Sequence, residues 1–176
     1  DAEVLSLADN ALRELKLKAR IEVNNRKLLN GILEQVGVAK DKESAIIAID
    51  KLAKYGKKVV ADELKEKGVD KKAIDKVMDL ISITGKNDEI LSKVKKKVDN
   101  DIGKEGIEEL EELFSYLKKL GVKSELNLSL ARGLGYYTGT VFEVFLKDSN
   151  VKSSIAAGGR FDEMIGDFLG GNRAYP

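Results

Sequence analysis

The sequence predicts an α+β fold, with helices through most of the first two-thirds and strands grouped towards the C-terminus. Two observations carry this. Apolar residues recur at helical spacing up to about residue 120, in runs of roughly ten residues mostly closed by glycine. Beyond residue 124 the period changes: Leu126, Leu128 and Leu130 alternate with Asn127 and Ser129, and Thr140–Leu146 is β-branched and aromatic. Helices and strands held in separate stretches make α+β rather than alternating α/β.

Taken in order, Val4, Leu5, Ala8, Leu12 and Leu15 predict a first helix over 4–17, and Ile21-Glu22-Val23 a short strand beside it. From Asn25 helices repeat. Gly37, Gly56, Gly68, Gly85 and Gly121 serve as their C-terminal stops. Asn25, Ser44, Asp70 and Asn87 fall at helix starts, where a side-chain oxygen accepts from free amides. Ile74, Val77, Met78 and Ile81 form one apolar stripe and Leu110, Leu113, Phe114 and Leu117 another, both read as core. Gly103-Lys104-Glu105-Gly106 reads as the most linker-like point, with a helix from Ile107 to Leu120 returning the chain to the sheet. Strands are expected near 124–133, 137–147 and 153–159 as an antiparallel meander, turned at Asp148-Ser149-Asn150. A short helix follows from Asp162 to Phe168, stopped by Gly170-Gly171. This divides the chain into a helix–strand part (1–25), a helical domain (26–103) and a sheet-bearing part (104–176).

Composition narrows the class. At 176 residues, 43% apolar and 35% charged, the chain can bury a proper core. No apolar run approaches bilayer-spanning length, and the acidic opening has no signal-peptide pattern, so a cytoplasmic protein with no membrane partner is expected. Lacking cysteine, it has no disulfides or thiolate metal sites; with no histidine either, zinc ligation is not expected and no metal site is assigned. The net charge of +1 offers no global attraction to nucleic acid. Its distribution is uneven. Residues 51–97 hold fourteen lysines and eight acids, whereas 98–112 hold one lysine and seven acids. Two solvated helix faces attracting one another is one reading; a phosphate-facing patch is the other.

Two segments carry the functional signal. Arg132 to Gly139 reads Arg-Gly-Leu-Gly-Tyr-Tyr-Thr-Gly, and Ala156 to Asp162 reads Ala-Ala-Gly-Gly-Arg-Phe-Asp. Arg132 offers a fixed fork of donors for an anion. The glycines admit close backbone approach, and Tyr136 and Tyr137 supply flat walls tipped with hydroxyls. Singly, adjacent tyrosines are ordinary strand packing, Gly-Gly an ordinary turn and one arginine ordinary surface charge. Their joint occurrence, in order, is what points to a site for a small anionic substrate.

These segments and their spacing resemble the histidine-binding strands of the histidyl-tRNA synthetase family, class II aminoacyl-tRNA synthetases. The opening Asp1-Ala2-Glu3 and Val23 to Gly31 extend the likeness, the latter in the archaeal and eukaryotic form; the weakest stretch runs from about Lys40 to Lys118. Gly135 departs from the pattern, standing where the family most often carries Asp. The three class II motifs are not found, so the chain is read as an internal fragment.

The resemblance implies part of a class II antiparallel sheet with an inserted all-helical domain. It also implies histidine–tRNA ligase activity: histidine and ATP, carried with Mg2+, give histidyl-adenylate, which is transferred to tRNA(His) by a homodimeric enzyme. Arg132 then corresponds to the catalytic arginine, and Arg132, Tyr136, Tyr137, Gly158 and Gly159 to the histidine site. The insertion would help hold the tRNA acceptor arm, with Lys93, Lys96 and Lys97 as candidate phosphate contacts. Magnesium ligands would lie outside these residues, and the isolated fragment is expected to be inactive. The residues leave the role of Arg160 open. The rival readings are a non-catalytic regulatory paralogue of the ATP phosphoribosyltransferase type, the synthetase-like domain of a starvation kinase, and a helical RNA-binding module.

Overall fold

The computed structural model describes residues 1–38, 41–132, 135–171 and 174–175. Helix α1 (Ala2–Glu14) leads into strand β1 (Ala19–Asn25), and five helices follow: α2 (Arg26–Gln35), α3 (Lys42–Asp50), α4 (Leu52–Glu66), α5 (Lys71–Ile81) and α6 (Asn87–Lys95). Helix α7 (Asp101–Lys119) returns the chain to strands β2 (Ser124–Leu126), β3 (Thr140–Leu146) and β4 (Ala156–Gly159), and α8 (Met164–Phe168) closes the described elements. The α+β class therefore holds.

The meander does not. The sheet order is β2-β1-β3-β4: β1 is parallel to β2 and antiparallel to β3, and β3 is antiparallel to β4. The early strand, β1, sits at the centre of the sheet and separates β2 from β3. The expected strand over 124–133 shrinks to three residues because Asn127 turns the chain. Its Oδ1 accepts from the Ser129 amide and hydroxyl at 3.0 and 2.7 Å, while its Nδ2 donates to Glu22 at 2.6 Å. Leu128 and Leu130 are nonetheless buried, so their alternation reported burial correctly and backbone form incorrectly.

Helix ends follow the sequence closely. Gly37, Gly56, Gly68, Gly85 and Gly121 all take positive φ; Gly56 marks a break inside α4. Asn25 and Asp70 cap α2 and α5 as expected. Two caps are corrected. Asp41 caps α3 by accepting from the Ser44 amide, so Ser44 is the capped residue. Asn87 makes no cap; it accepts from Leu126 N at 2.9 Å and donates to Ser124 O at 3.0 Å, pairing with the outer edge of β2 as a further strand would.

The largest correction concerns Gly103–Gly106, which lies inside α7 and is not a linker. Here α7 crosses α2 at backbone distance. A Cβ on Gly106 would stand 2.3 Å from Leu28 N, and one on Gly31 would stand 2.3 Å from Gly103 Cα. Asn100 fixes the crossing, capping Gly103 N and donating to Gly31 O at 2.8 Å. The acidic run pairs as the attraction of two charged faces predicts where Lys95 reaches Glu111 at 3.1 Å, and it finds an unforeseen partner in Lys27, which bridges Glu105 and Glu109 at 2.5 and 2.6 Å. One continuous apolar core joins α1, the helices α2–α7 and one face of the sheet through Ile21, Val23 and Val144.

Adding a methyl at this crossing should outweigh the better helix propensity of alanine, which is worth about 1 kcal/mol. Gly106→Ala should cost roughly 2 kcal/mol in urea unfolding. Gly171→Ala, with nothing near its would-be Cβ, should change stability by less than about 0.5 kcal/mol. A Gly106→Ala protein as stable as its parent would show that these glycines do not set the α2–α7 spacing.

Candidate functional site

Alternation along β3 sorts its residues between two faces. Phe142 and Val144 turn towards the helices, whereas Val141 and Glu143 turn to the opposite face. Onto that second face come both segments singled out in the sequence. Gly133 and Leu134 of the first lie outside the described residues.

Arg132 reaches Glu143 with Nη1 at 2.8 Å, in a partly buried pair. Glu143 also accepts from Ser154 Oγ at 3.3 Å. The Arg132 Nε is buried and lacks an acceptor among the described residues. Burial works against the guanidinium's charge, but Glu143 and Tyr137 together outweigh it and hold its pKa above the ordinary value. The group is a permanent cation with one arm fixed by Glu143. Glu143 in turn lies directly across from Glu22 in the β1–β3 register. Two acids placed so would repel; Glu22 is satisfied by Arg20 at 2.6 Å and by Asn127, and Glu143 by Arg132.

Arg132 has φ 47°, a left-handed conformation that side chains rarely adopt. It is held there from the end of β1 and the first residue of α2. Asn24, fully buried, donates to Leu128 O at 3.2 Å and Leu130 O at 2.9 Å. Arg26, 2% exposed, donates through Nη1 to Ala131 O at 3.3 Å and Arg132 O at 3.2 Å. Its backbone amide takes Gly139 O at 2.7 Å. Arg26 therefore fastens both ends of the 132–139 segment.

The two tyrosines differ. Tyr137 is buried in a small cluster with Leu130 and Val141, and Tyr136 is 41% exposed. Their rings are tilted, with centroids 4.6 Å apart, and Tyr136 also meets Phe161 edge-on at 6.4 Å. Gly159 is explained by this packing: a Cβ there would lie 2.6 Å from Tyr137 Cδ1. A Cβ on Gly158 would lie 2.9 Å from the Phe142 ring. Both glycines thus admit the protein's own aromatic rings, a use the sequence left unseen behind the idea of substrate against backbone. Gly135 has Glu43 Oε2 3.2 Å from its would-be Cβ.

A polar knot joins the two segments. Asp162 accepts from Arg160 Nε at 2.7 Å and from Thr138 Oγ1 at 2.8 Å, and its amide donates to Thr138 Oγ1 at 3.1 Å. Arg160 is thereby an anchor of the turn, which the sequence left undecided. Beside the knot a cleft of about 580 Å³ opens between Tyr137, Thr138 and Asp162 on one side and Arg26, Lys27 and Glu43 on the other. Among the described residues no group of three or more acids could hold a metal, and no helix is long and apolar enough to cross a membrane.

Glu143, Arg26, Asn24, Glu43 and Thr138 were not singled out as site residues from sequence. Each is an ordinary polar residue until the sheet order brings β1 beside β3. Lys93, Lys96 and Lys97 are exposed and remote from Arg132 along the chain. Since α6 ends at Lys95, Lys97 does not share a helical face with Lys93; Lys96 is the C-cap.

The phenol of Tyr136 is pushed above its ordinary value, first by the Tyr137 hydroxyl and then by desolvation, with Arg132 opposing. Tyr137→Phe removes the leading cause, so Tyr136 should ionise at lower pH than in the parent. Ring-resonance titration of isotope-labelled tyrosine measures this; an unchanged midpoint would show that the two hydroxyls do not interact.

A family model described as Histidyl-tRNA synthetase matches residues 1–175. Histidine--tRNA ligase 2 of Shouchella clausii is 42% identical over all of this chain and 42% of its own length, and histidine--tRNA ligase 1 of Bacillus cereus (ATCC 10987) is 39% identical over all of this chain and 41% of its own. The chain thus spans about two-fifths of the curated relatives it matches. The crystal structure of histidyl-tRNA synthetase from Nostoc sp. PCC 7120 superposes with a TM-score of 0.88 at 30% identity, covering 98% of this chain and 42% of that one. An ATP phosphoribosyltransferase regulatory subunit/histidyl-tRNA synthetase from Bacillus halodurans C superposes at 0.81 with 21% identity, covering 96% of this chain and 44% of that one; it shares the fold.

Proposed function

The chain belongs to the histidyl-tRNA synthetase family, and from that premise we propose that it is part of a histidine–tRNA ligase, contributing the arginine and tyrosines of the amino-acid site. The observation that supports this most directly is Arg132: a permanent cation on the open face of the sheet, one arm fixed by Glu143 and its Nε without an acceptor among the described residues.

In the proposed reaction a carboxylate oxygen of histidine bonds to the α-phosphorus of ATP and the bond to pyrophosphate breaks. Negative charge builds on the phosphate oxygens. A fixed guanidinium facing both carboxylate and phosphate stabilises that charge without reorganising. The hydroxyls of Tyr136 and Tyr137 suit an imidazole nitrogen, which an apolar wall could not select. Gly159 holds β4 close to the Tyr137 ring and Gly158 holds it close to Phe142 on the helix-facing side, and both are assigned to the amino-acid site. Magnesium arrives with ATP and takes its ligands from outside these residues.

The proposal extends to the organisation of the whole protein. Residues 1–25 and 104–176 form part of the catalytic domain and 26–103 the helical insertion; the partners are histidine, ATP and tRNA(His), and the enzyme is a cytoplasmic homodimer. A regulatory paralogue shares this fold but would activate no histidine, so the first test also separates the two.

In the full-length protein, Arg132→Ala should lower histidine-dependent ATP–pyrophosphate exchange by roughly a hundredfold or more, the scale of one transition-state donor. Exchange near the parent's would remove Arg132 from the chemistry; no exchange in the parent would remove the ligase reading altogether.

For the insertion, neutralising Lys93, Lys96 and Lys97 together should weaken tRNA binding and flatten its salt dependence by about one slope unit per lost phosphate contact. Exchange without tRNA should stay at the parent level. Unaltered tRNA binding at every salt concentration would make these lysines a solvated face.

A further inference from the structure

We propose that Glu43, on α3 across the cleft from Tyr137, is a positioning residue that sets the geometry of Arg132 through the buried Arg26; this rests on the ligase reading above. Three contacts make the chain. Glu43 Oε2 pairs with Arg26 Nη2. Arg26 Nη1 holds the carbonyls of Ala131 and Arg132. Arg132 then presents its guanidinium to Glu143 from a left-handed backbone.

Two constraints make Glu43 more than an incidental partner. Arg26 is 2% exposed, and among the described residues Glu43 is the one acid it pairs with. A buried cation stripped of its partner must find another or draw in water, and either would shift the fork that holds residues 131 and 132. The left-handed turn at Arg132 persists only while its surroundings impose it, so slackening of the fork is transmitted to the guanidinium.

The second constraint lies at Gly135. This position carries no side chain, and the Glu43 carboxylate fills the space, 3.2 Å from where a Cβ would sit. A carboxylate delivered from 135 would occupy the same region and face the same Arg26. The single negative charge that Arg26 requires therefore comes from α3, coupling the helices between β1 and β2 to the reacting face of the sheet.

The interchange makes the test. In the full-length protein, Glu43→Ala should lower kcat for histidine-dependent ATP–pyrophosphate exchange roughly ten- to a hundredfold, the scale of a small misplacement of a catalytic group, with KM for histidine changed less. Gly135→Asp alone should also lower kcat, because two carboxylates then crowd one guanidinium. The double variant Glu43→Ala/Gly135→Asp should recover to within about threefold of the parent, with urea unfolding of all three variants showing that the kcat changes do not track stability. Glu43→Gln, which keeps size and removes charge, serves if Glu43→Ala fails to fold, and a recovery by Gly135→Asp is expected there too. Parent-level kcat in the Glu43 variant, or no recovery in the double variant, overturns the proposal. Absence of exchange in the parent would instead overturn the ligase reading, so the two failures are distinct.

Discussion

Three consecutive polar side chains at the junction of β1 and α2 are the constraint on which the site depends. Asn24, Asn25 and Arg26 are all buried, where an unpaired polar group costs on the order of 1–3 kcal/mol and an unpaired charge more. Each is tied to a segment far away in sequence, although the buried Asn24 Oδ1 has no hydrogen-bond partner among the described residues. Asn24 takes the carbonyls of Leu128 and Leu130, Asn25 caps α2 and donates to Glu109, and Arg26 takes the carbonyls of residues 131 and 132. The 128–132 loop cannot leave without exposing these requirements, so the central strand fixes the loop that carries Arg132. The sheet order follows the same logic: β1 lies between β2 and β3 because its last residues must reach both.

Around this clasp the structure assigns separate tasks to neighbouring groups. The face of the sheet turned towards the helices is apolar and continuous with the core. The opposite face is charged and paired, with Arg20 on Glu22 and Arg132 on Glu143. The glycines at 158 and 159 hold aromatic rings rather than empty space, and the Thr138–Asp162–Arg160 knot locks the tyrosine segment to the turn after β4. On the helical side, the glycine crossing of α2 and α7 sets how closely the helices approach, and Lys27 ties the acidic run of α7 back to the start of α2.

Much of this was legible in the sequence, for identifiable reasons. Helix ends marked by glycine were readable because positive φ is a backbone demand with few residues able to meet it. The strands at 140–146 and 156–159 were readable from β-branched and small residues. The order of the strands was not, since β1 and β2 are separated by about a hundred residues and periodicity carries no information on pairing. Gly103–Gly106 looked like a linker because glycine serves both flexible joints and close helix contacts, and only the partner Leu28 decides between them. Arg132 and the tyrosines stood out as a motif, whereas Arg26 and Glu43 did not: their roles arise from what folding brings beside them.

The claim at the centre of this account is that Arg26 imposes the backbone of Arg132. A crystal structure of the Arg26→Met variant of the full-length protein tests it most directly, since methionine keeps much of the bulk and removes every side-chain donor. The account predicts that residue 132 leaves the left-handed region and that its guanidinium separates from Glu143. A variant whose 128–132 backbone and Arg132–Glu143 pair superpose on those of the parent would contradict it.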